Sequence, residues 1–116
     1  MTATAEDCLF CRIVAQQVPA DVVRESARTL ALRDIDPQAP VHVLVVPRDH
    51  HADIGALVAA DPTLVAELMA EAAGVAAEER LVDYRLVLNT GASAGQSVFH
   101  VHVHVLGGRP MGWPPG

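Results

Sequence analysis

Apolar and polar residues alternate along this chain with two periods. Val41 to Val46 is a β-branched run that stops at Pro47, which predicts a strand with His42, Leu44 and Val46 on one face. Asp61-Pro62 supplies a side-chain cap and a proline at the first helical position. Leu64, Leu68, Ala72 and Val75 follow at helical spacing, which predicts a helix to about Arg80. Gly74 interrupts it at a cost of about 1 kcal/mol relative to alanine, and close packing on a sheet is its expected benefit. Cys8 to Gln17 reads as a knuckle and a short helix ended before Pro19. Asp21 to Glu25 and Thr29 to Arg33 read as short strands around a turn at Ser26 to Arg28. Asp36-Pro37 and Ala39-Pro40 mark a loop. Arg85 to Asn89 reads as a strand with Leu86 and Leu88 on one face and Arg85, Val87 and Asn89 on the other. Strands separated by helices, with a short return, predict an α+β domain with a mainly antiparallel sheet.

The run His100-Val101-His102-Val103-His104-Val105 carries the chemistry. In a strand its three imidazoles share one face, roughly 6–7 Å apart, and the valines take the other. Such a row reads as lying on an exposed sheet face. Imidazole serves as nucleophile, acid, base or metal ligand near neutral pH. Spacing alone leaves three readings open: catalysis, a zinc site, or inert surface. The preceding loop, Gly91 to Ser97, favours a phosphate site. Gly91 and Gly95 permit positive φ, consecutive N–H groups there are positioned for an anion nest, and Ser97 adds a hydroxyl. Asn89 enters the loop with an amide that donates or accepts.

Composition narrows the function classes. The 116 residues fit one domain, and 51% of them are apolar, enough for an ordinary core. A net charge of −6 argues against a nucleic-acid surface but not against a single nucleotide. Neither a basic leader nor a long apolar run is present, so the cytosol is the expected location and no membrane partner is expected. Cys8 and Cys11 form a C-x-x-C pair, which in a reducing compartment reads as a metal or redox pair.

His100 to Leu106 fits the motif His-φ-His-φ-His-φ-φ, with φ apolar, and so resembles the histidine-triad (HIT) family. Gly95 to Phe99, Gly107 to Met111, Leu9 to Ile13 and Asp34 to His42 extend the match. The ending Trp113-Pro114-Pro115-Gly116 resembles the Hint branch. The resemblance implies one HIT domain over 1–116, built on a five-stranded, mainly antiparallel sheet with two helices. It implies a homodimer whose sheets join into one, with a 107–116 tail that brings Trp113 near the interface.

The implied activity is hydrolysis of purine nucleoside 5′-phosphoramidates through a nucleotidyl-histidine intermediate. Dinucleoside polyphosphate hydrolysis and a nucleotide-binding scaffold are the alternatives. By resemblance His102 is the nucleophile, His104 contacts the phosphate, Ser97 lies near the leaving group, and His100 orients its neighbours. His42 would sit at the leaving-group side, where a protonated imidazole helps an amine depart. Asp34 would bind the ribose hydroxyls. Leu9, Phe10, Ile13, Leu32 and Ile35 would line the base pocket, and Asn89 and Gln96 are grouped with the nucleotide contacts. Purine preference comes from the resemblance, not from these residues. Cys8, Cys11, His50 and His100 match the ligand set of zinc-bearing members, a structural site, with no cofactor needed for catalysis. His51 is then the solvent-facing neighbour.

Overall fold

The computed structural model describes residues 7–116, so the first six residues of the expected domain lie outside the described residues. The strands are β1 (Val22–Glu25), β2 (Thr29–Arg33), β3 (Val41–Pro47), β4 (Tyr84–Val87) and β5 (Val103–Gly107). They form one antiparallel sheet in the order β1-β2-β3-β5-β4. The α-helices are α1 (Leu9–Val14), α2 (Ile54–Ala60) and α3 (Pro62–Glu78). The count of two helices is therefore corrected by α2, which Asp53 caps through a 2.9 Å bond from the Ala56 N–H. Its pattern, IGALVAA, buries only Leu57 and carries no clear helical stripe.

α3 begins as read, with the Asp61 carboxylate capping the Leu64 N–H at 3.1 Å, and ends two residues earlier, at Glu78. Leu64, Leu68, Ala72 and Val75 are all buried against Ala31, Val43, Val45, Val103 and Val105. Ion pairs then clamp α3 to the edge of the sheet. Arg24 donates to Glu71 at 2.5 Å and also reaches Glu78, and Glu71 accepts from Thr29 at 2.8 Å. Arg28 meets Glu67 and Asp61, and Arg33 forks onto Glu79. Gly74 has a specific purpose here. A Cβ at that position would meet the Arg24 guanidinium at 2.6 Å, so the glycine opens the path of that side chain.

The other face of the sheet carries a second cluster. Leu30, Leu32, Leu44 and Val46 pack on Phe10 and Ile13 of α1 and on Cys8 and Cys11. His42 and His104 belong to this face, because Leu44 pairs with His104 and His42 with Leu106.

Strand boundaries differ from the sequence reading by one residue at β1 and β3, and by more at β4 and β5. β4 begins one residue earlier and stops at Val87, leaving Leu88 and Asn89 outside it. β5 begins at Val103, so His100 and His102 precede the ladder. β3 ends at Pro47, which has no N–H to continue the pairing. Its carbonyl instead accepts from the His100 ring, while the Val101 N–H donates to the His51 carbonyl at 2.7 Å. Alternation survives outside the ladder, since Val101, Val103 and Val105 are all buried on the α3 side. The exposed row of histidines is corrected: His100 is 0% and His102 8% accessible. α1 and the β3 end cover them, and Phe10 meets both rings edge-on at 5.8 and 5.0 Å.

Candidate active site and metal centre

Backbone carbonyls choose the tautomers of the first two histidines. His102 Nδ1 lies 2.8 Å from the His100 carbonyl. A carbonyl only accepts, so Nδ1 carries the proton and Nε2 keeps its lone pair. His100 is oriented the opposite way. Its Nε2–H donates to the Pro47 carbonyl at 2.8 Å, which leaves the Nδ1 lone pair 3.3 Å from Cys8 Sγ and 3.5 Å from Cys11 Sγ.

A third selection acts on His42 and His104. The Gln38 N–H donates to His42 Nδ1 at 3.0 Å, so the neutral ring bears its proton on Nε2. That atom sits 2.9 Å from His104 Nδ1 and 3.3 Å from Asp34 Oδ2. Burial lowers the pKa of His42, against the opposing pull of Asp34 and Asp36. The Gln38 N–H at Nδ1 and this burial both favour the neutral ring, whereas the sequence reading expected a protonated leaving-group acid. Burial also lowers His102 and takes His104 down to about 4, with His102 and His42 adding to the His104 shift. In all three imidazoles the shift is toward the neutral ring.

Asp34, His102 and His104 border a cleft of about 570 Å³, which His42 and His100 do not line. Leu9, Phe10, Ile13, Leu32 and Ile35 line it together with Asp34, Ser97, His102 and His104. Nine expected site residues thus come together. Val18, Pro19 and Ala20 after α1, Leu44 from β3, and Asp21 and Arg33 also line it. The sequence reading missed them; it carried the helix to Gln17, whereas α1 ends at Val14 and the chain beyond it lines the cleft. Ile35 is fully exposed on the rim.

Asn89 and Gln96 do not line the cleft. Gln96 is a loop brace: Oε1 accepts from the Gly91 N–H at 2.9 Å, and Nε2 donates to the Ala52 and Val98 carbonyls at 2.8 and 3.1 Å. Asn89 lies under Gly95. Gly91 and Gly95 have φ of 90° and 101°, as the turn requires. The anion nest is corrected, because the N–H groups of Ala94, Gly95 and Gln96 bond to carbonyls of Gly91 and Ala92 within the loop. Ser97, exposed on the cleft wall, is the loop's remaining contribution.

Cys8, Cys11, His50 and His100 bring one ligand atom each to within 4.8 Å of one another. Cys8 caps α1 through a 3.4 Å bond from the Cys11 N–H, and Cys11 Sγ lies 3.4 Å from His50 Nδ1. Burial and the neighbouring Cys8 push the Cys11 thiol up to about 11. Two thiols and two imidazoles, with the His100 Nδ1 lone pair turned inward, fit a tetrahedral ion. Asp34, His42 and His104 also lie close enough to be considered. There the His42 Nε2 proton, fixed by Gln38, occupies the space a metal would need.

A larger concavity of about 690 Å³ lies where β4 begins and β5 ends, lined by Arg80, Tyr84, Arg85, Arg109 and Met111. It has no imidazole or thiol. Trp113 of the tail is 84% exposed, with Arg85 6.0 Å from its ring.

Comparison with known proteins follows this geometry. The HIT domain family matches residues 15–111. The chain belongs to the HIT family. It is 46% identical to an uncharacterized HIT-like protein of Synechocystis, over 97% of this chain and 99% of that one. It is also similar to the crystal structure of a HIT family hydrolase from Legionella pneumophila, with a TM-score of 0.90, 46% identity and coverage of 95% and 100%. A HIT family hydrolase from Clostridium thermocellum superposes with a TM-score of 0.89 at 39% identity, covering 94% and 96%. The α+β HIT fold is thus shared across the whole sheet, and no helix among the described residues is long and apolar enough to cross a membrane.

Proposed function

We propose that this HIT protein is of the Hint type and hydrolyses purine nucleoside 5′-phosphoramidates through a nucleotidyl-histidine. The observation that carries this reading is the His102 Nδ1–H bond to the His100 carbonyl, which leaves Nε2 as a free nucleophile in a cleft that also holds Asp34 and Ser97. Nε2 attacks the α-phosphorus and forms a P–N bond to the enzyme. The bond from phosphorus to the amine breaks, and the amine leaves with a proton taken from solvent through the Ser97 hydroxyl; solvent recovers a proton when water attacks in the second step. Water then attacks the same phosphorus and releases the nucleoside monophosphate and His102. Two easier displacements replace one difficult one. His104, bonded to His42 through Nδ1, offers its Nε2–H to phosphate oxygens. Asp34 accepts from the ribose hydroxyls, and the apolar wall from Leu9 to Leu32 receives the base.

Cys8, Cys11, His50 and His100 hold a zinc ion in this reading. Its contribution is structural, because four protein ligands leave no open position. It ties α1, which walls the base pocket, to the residue whose carbonyl orients His102. The active protein is a cytosolic homodimer with its sheets joined, and the tail from Gly107 reaches the partner near the leaving group. Deleting Met111 to Gly116 should then change selectivity among amine leaving groups more than stability.

The test is turnover of adenosine 5′-phosphoramidate beside a diadenosine polyphosphate, with mass spectrometry of the quenched enzyme. Preferred cleavage of the phosphoramidate, with a nucleotidyl adduct on His102, is the expected result. Preference for the polyphosphate identifies a dinucleoside polyphosphate hydrolase. Binding without turnover of either identifies a nucleotide-binding scaffold.

A further inference from the structure

His42 has one N–H, which is bonded to His104 in this structure, and a second acceptor, Asp34, within ion-pair distance. Gln38 occupies its Nδ1, and its Nε2 lies 2.9 Å from His104 Nδ1 and 3.3 Å from Asp34 Oδ2. One proton cannot be well aligned with both acceptors. Its destination decides what His104 presents. A bond from His42 to His104 Nδ1 places the His104 proton on Nε2, the nitrogen left for a ligand. When Asp34 takes the bond, nothing selects that tautomer. The other oxygen of Asp34 is already engaged, since Oδ1 accepts from the Asp36 N–H at 2.8 Å. Oδ2 is the oxygen that faces His42, and a hydroxyl donating to it weakens its hold on the His42 proton.

We infer that Asp34 is a positioning residue that reports ribose occupancy to His104 by way of His42. The inference rests on the proposed nucleotide hydrolysis and deepens it. Sugar hydroxyls donating to Asp34 take the lone pairs that compete for the His42 proton. The His42 N–H then commits to His104 Nδ1, and His104 Nε2–H is locked as a donor to the phosphate. A ribose is needed to complete the phosphate site, although it lies away from the bond that breaks. Binding energy at a remote group is thus used in the transition state, which raises kcat and not only affinity.

The experiment compares a ribonucleoside 5′-phosphoramidate with its 2′,3′-dideoxy counterpart on the full chain. In the native protein the dideoxy substrate should lose about tenfold or more in kcat, in addition to any rise in KM. Asp34→Ala removes the competing acceptor, so its kcat values for the two substrates should become equal, whatever its KM. A ¹⁵N imidazole spectrum gives a readout independent of turnover. His104 Nδ1 should show the shift of a hydrogen-bonded acceptor with the ribonucleoside monophosphate bound and in Asp34→Ala, but less of it with the dideoxy monophosphate. Equal kcat for both substrates in the native protein, or a kcat gap that persists in Asp34→Ala, overturns the inference. Absence of turnover and of a His102 adduct would sink the hydrolase reading instead, and the nitrogen spectra of the two monophosphate complexes would then decide the inference alone.

Discussion

His100 and His104 stand four residues apart in one short run, yet they belong to different devices. His100 is sealed from solvent beside two thiols, with its Nδ1 lone pair turned toward them. His104 lines the open cleft and is bonded to His42, in reach of the Asp34 charge. His102 lies between them, and its ring is oriented by the carbonyl of the first. Residue type does not separate the three. What does is the atom each ring finds at its blocked nitrogen: the Pro47 carbonyl, the His100 carbonyl, or the His42 ring. A backbone acceptor at one nitrogen frees the other, and in the proposed function that choice makes one imidazole a ligand and the next a nucleophile.

Breaking the middle of the run should have the largest effect. His102→Ala is expected to keep nucleotide binding and to lose at least roughly a thousandfold in turnover, about 4 kcal/mol of barrier. Pre-steady-state kinetics with isothermal binding would check it, and near-normal turnover would exclude covalent catalysis through His102.

Attacking the His100 end should show the opposite signature. Cys8→Ala or Cys11→Ala, or strong chelation, should lower Tm by about ten degrees, from a loss of roughly 2 kcal/mol. Chemistry on bound substrate should change much less, since neither thiol lines the nucleotide cleft. Elemental analysis should find about one zinc per chain. Two freely titrating thiols in a folded, zinc-free protein would remove the metal from the comparison.

The His104 end can be sharpened by pH. Its folded pKa, about 4, lies below the ordinary value of 6.5 through burial and the neighbouring imidazoles. Its stabilising contribution is therefore complete above pH 6.5. As pH falls from 6.5 toward 4 the unfolded chain takes up a proton that the folded one refuses, and stability declines. After discounting for partial exposure the loss is on the order of 2 kcal/mol. Urea unfolding at steps between pH 7.5 and 5 should show this slope, and His104→Asn should make it shallower, the remainder coming from the other imidazoles that burial lowers. An unchanged slope in the variant would assign the effect elsewhere.

The smallest effect is a control from the far face of the sheet. Gly74→Ala forces a methyl into the Arg24 guanidinium. Helix propensity offsets part of that cost, so a loss of about 1 kcal/mol is expected. Turnover and zinc content should not move. A fall in either would mean that the two faces are coupled.

Much of this arrangement was legible along the chain. The α3 stripe, β1, β2 and β3 and the positive-φ glycines follow from periodicity and turn chemistry, which act over a few residues. The family resemblance added Asp34, the apolar wall, and the Cys8, Cys11, His50 and His100 set, which no local pattern connects. α2 escaped because a single buried leucine leaves no stripe to read. Gln96 looked like a ligand contact because an amide suits either purpose, and only the positions of Gly91, Ala52 and Val98 turn it into a brace.

By itself the sequence determined the alternation that puts every valine of the triad on one side and every histidine on the other. That follows from the period of an extended chain and holds even where the ladder has ended. Tertiary structure alone decided the burial of the row, its division between two sites, and which nitrogen of each ring is free. Those outcomes depend on the Pro47 carbonyl, the Gln38 N–H and the cover supplied by α1. They are set by long-range geometry, because an imidazole's proton goes to whichever acceptor the fold has placed within about 3 Å.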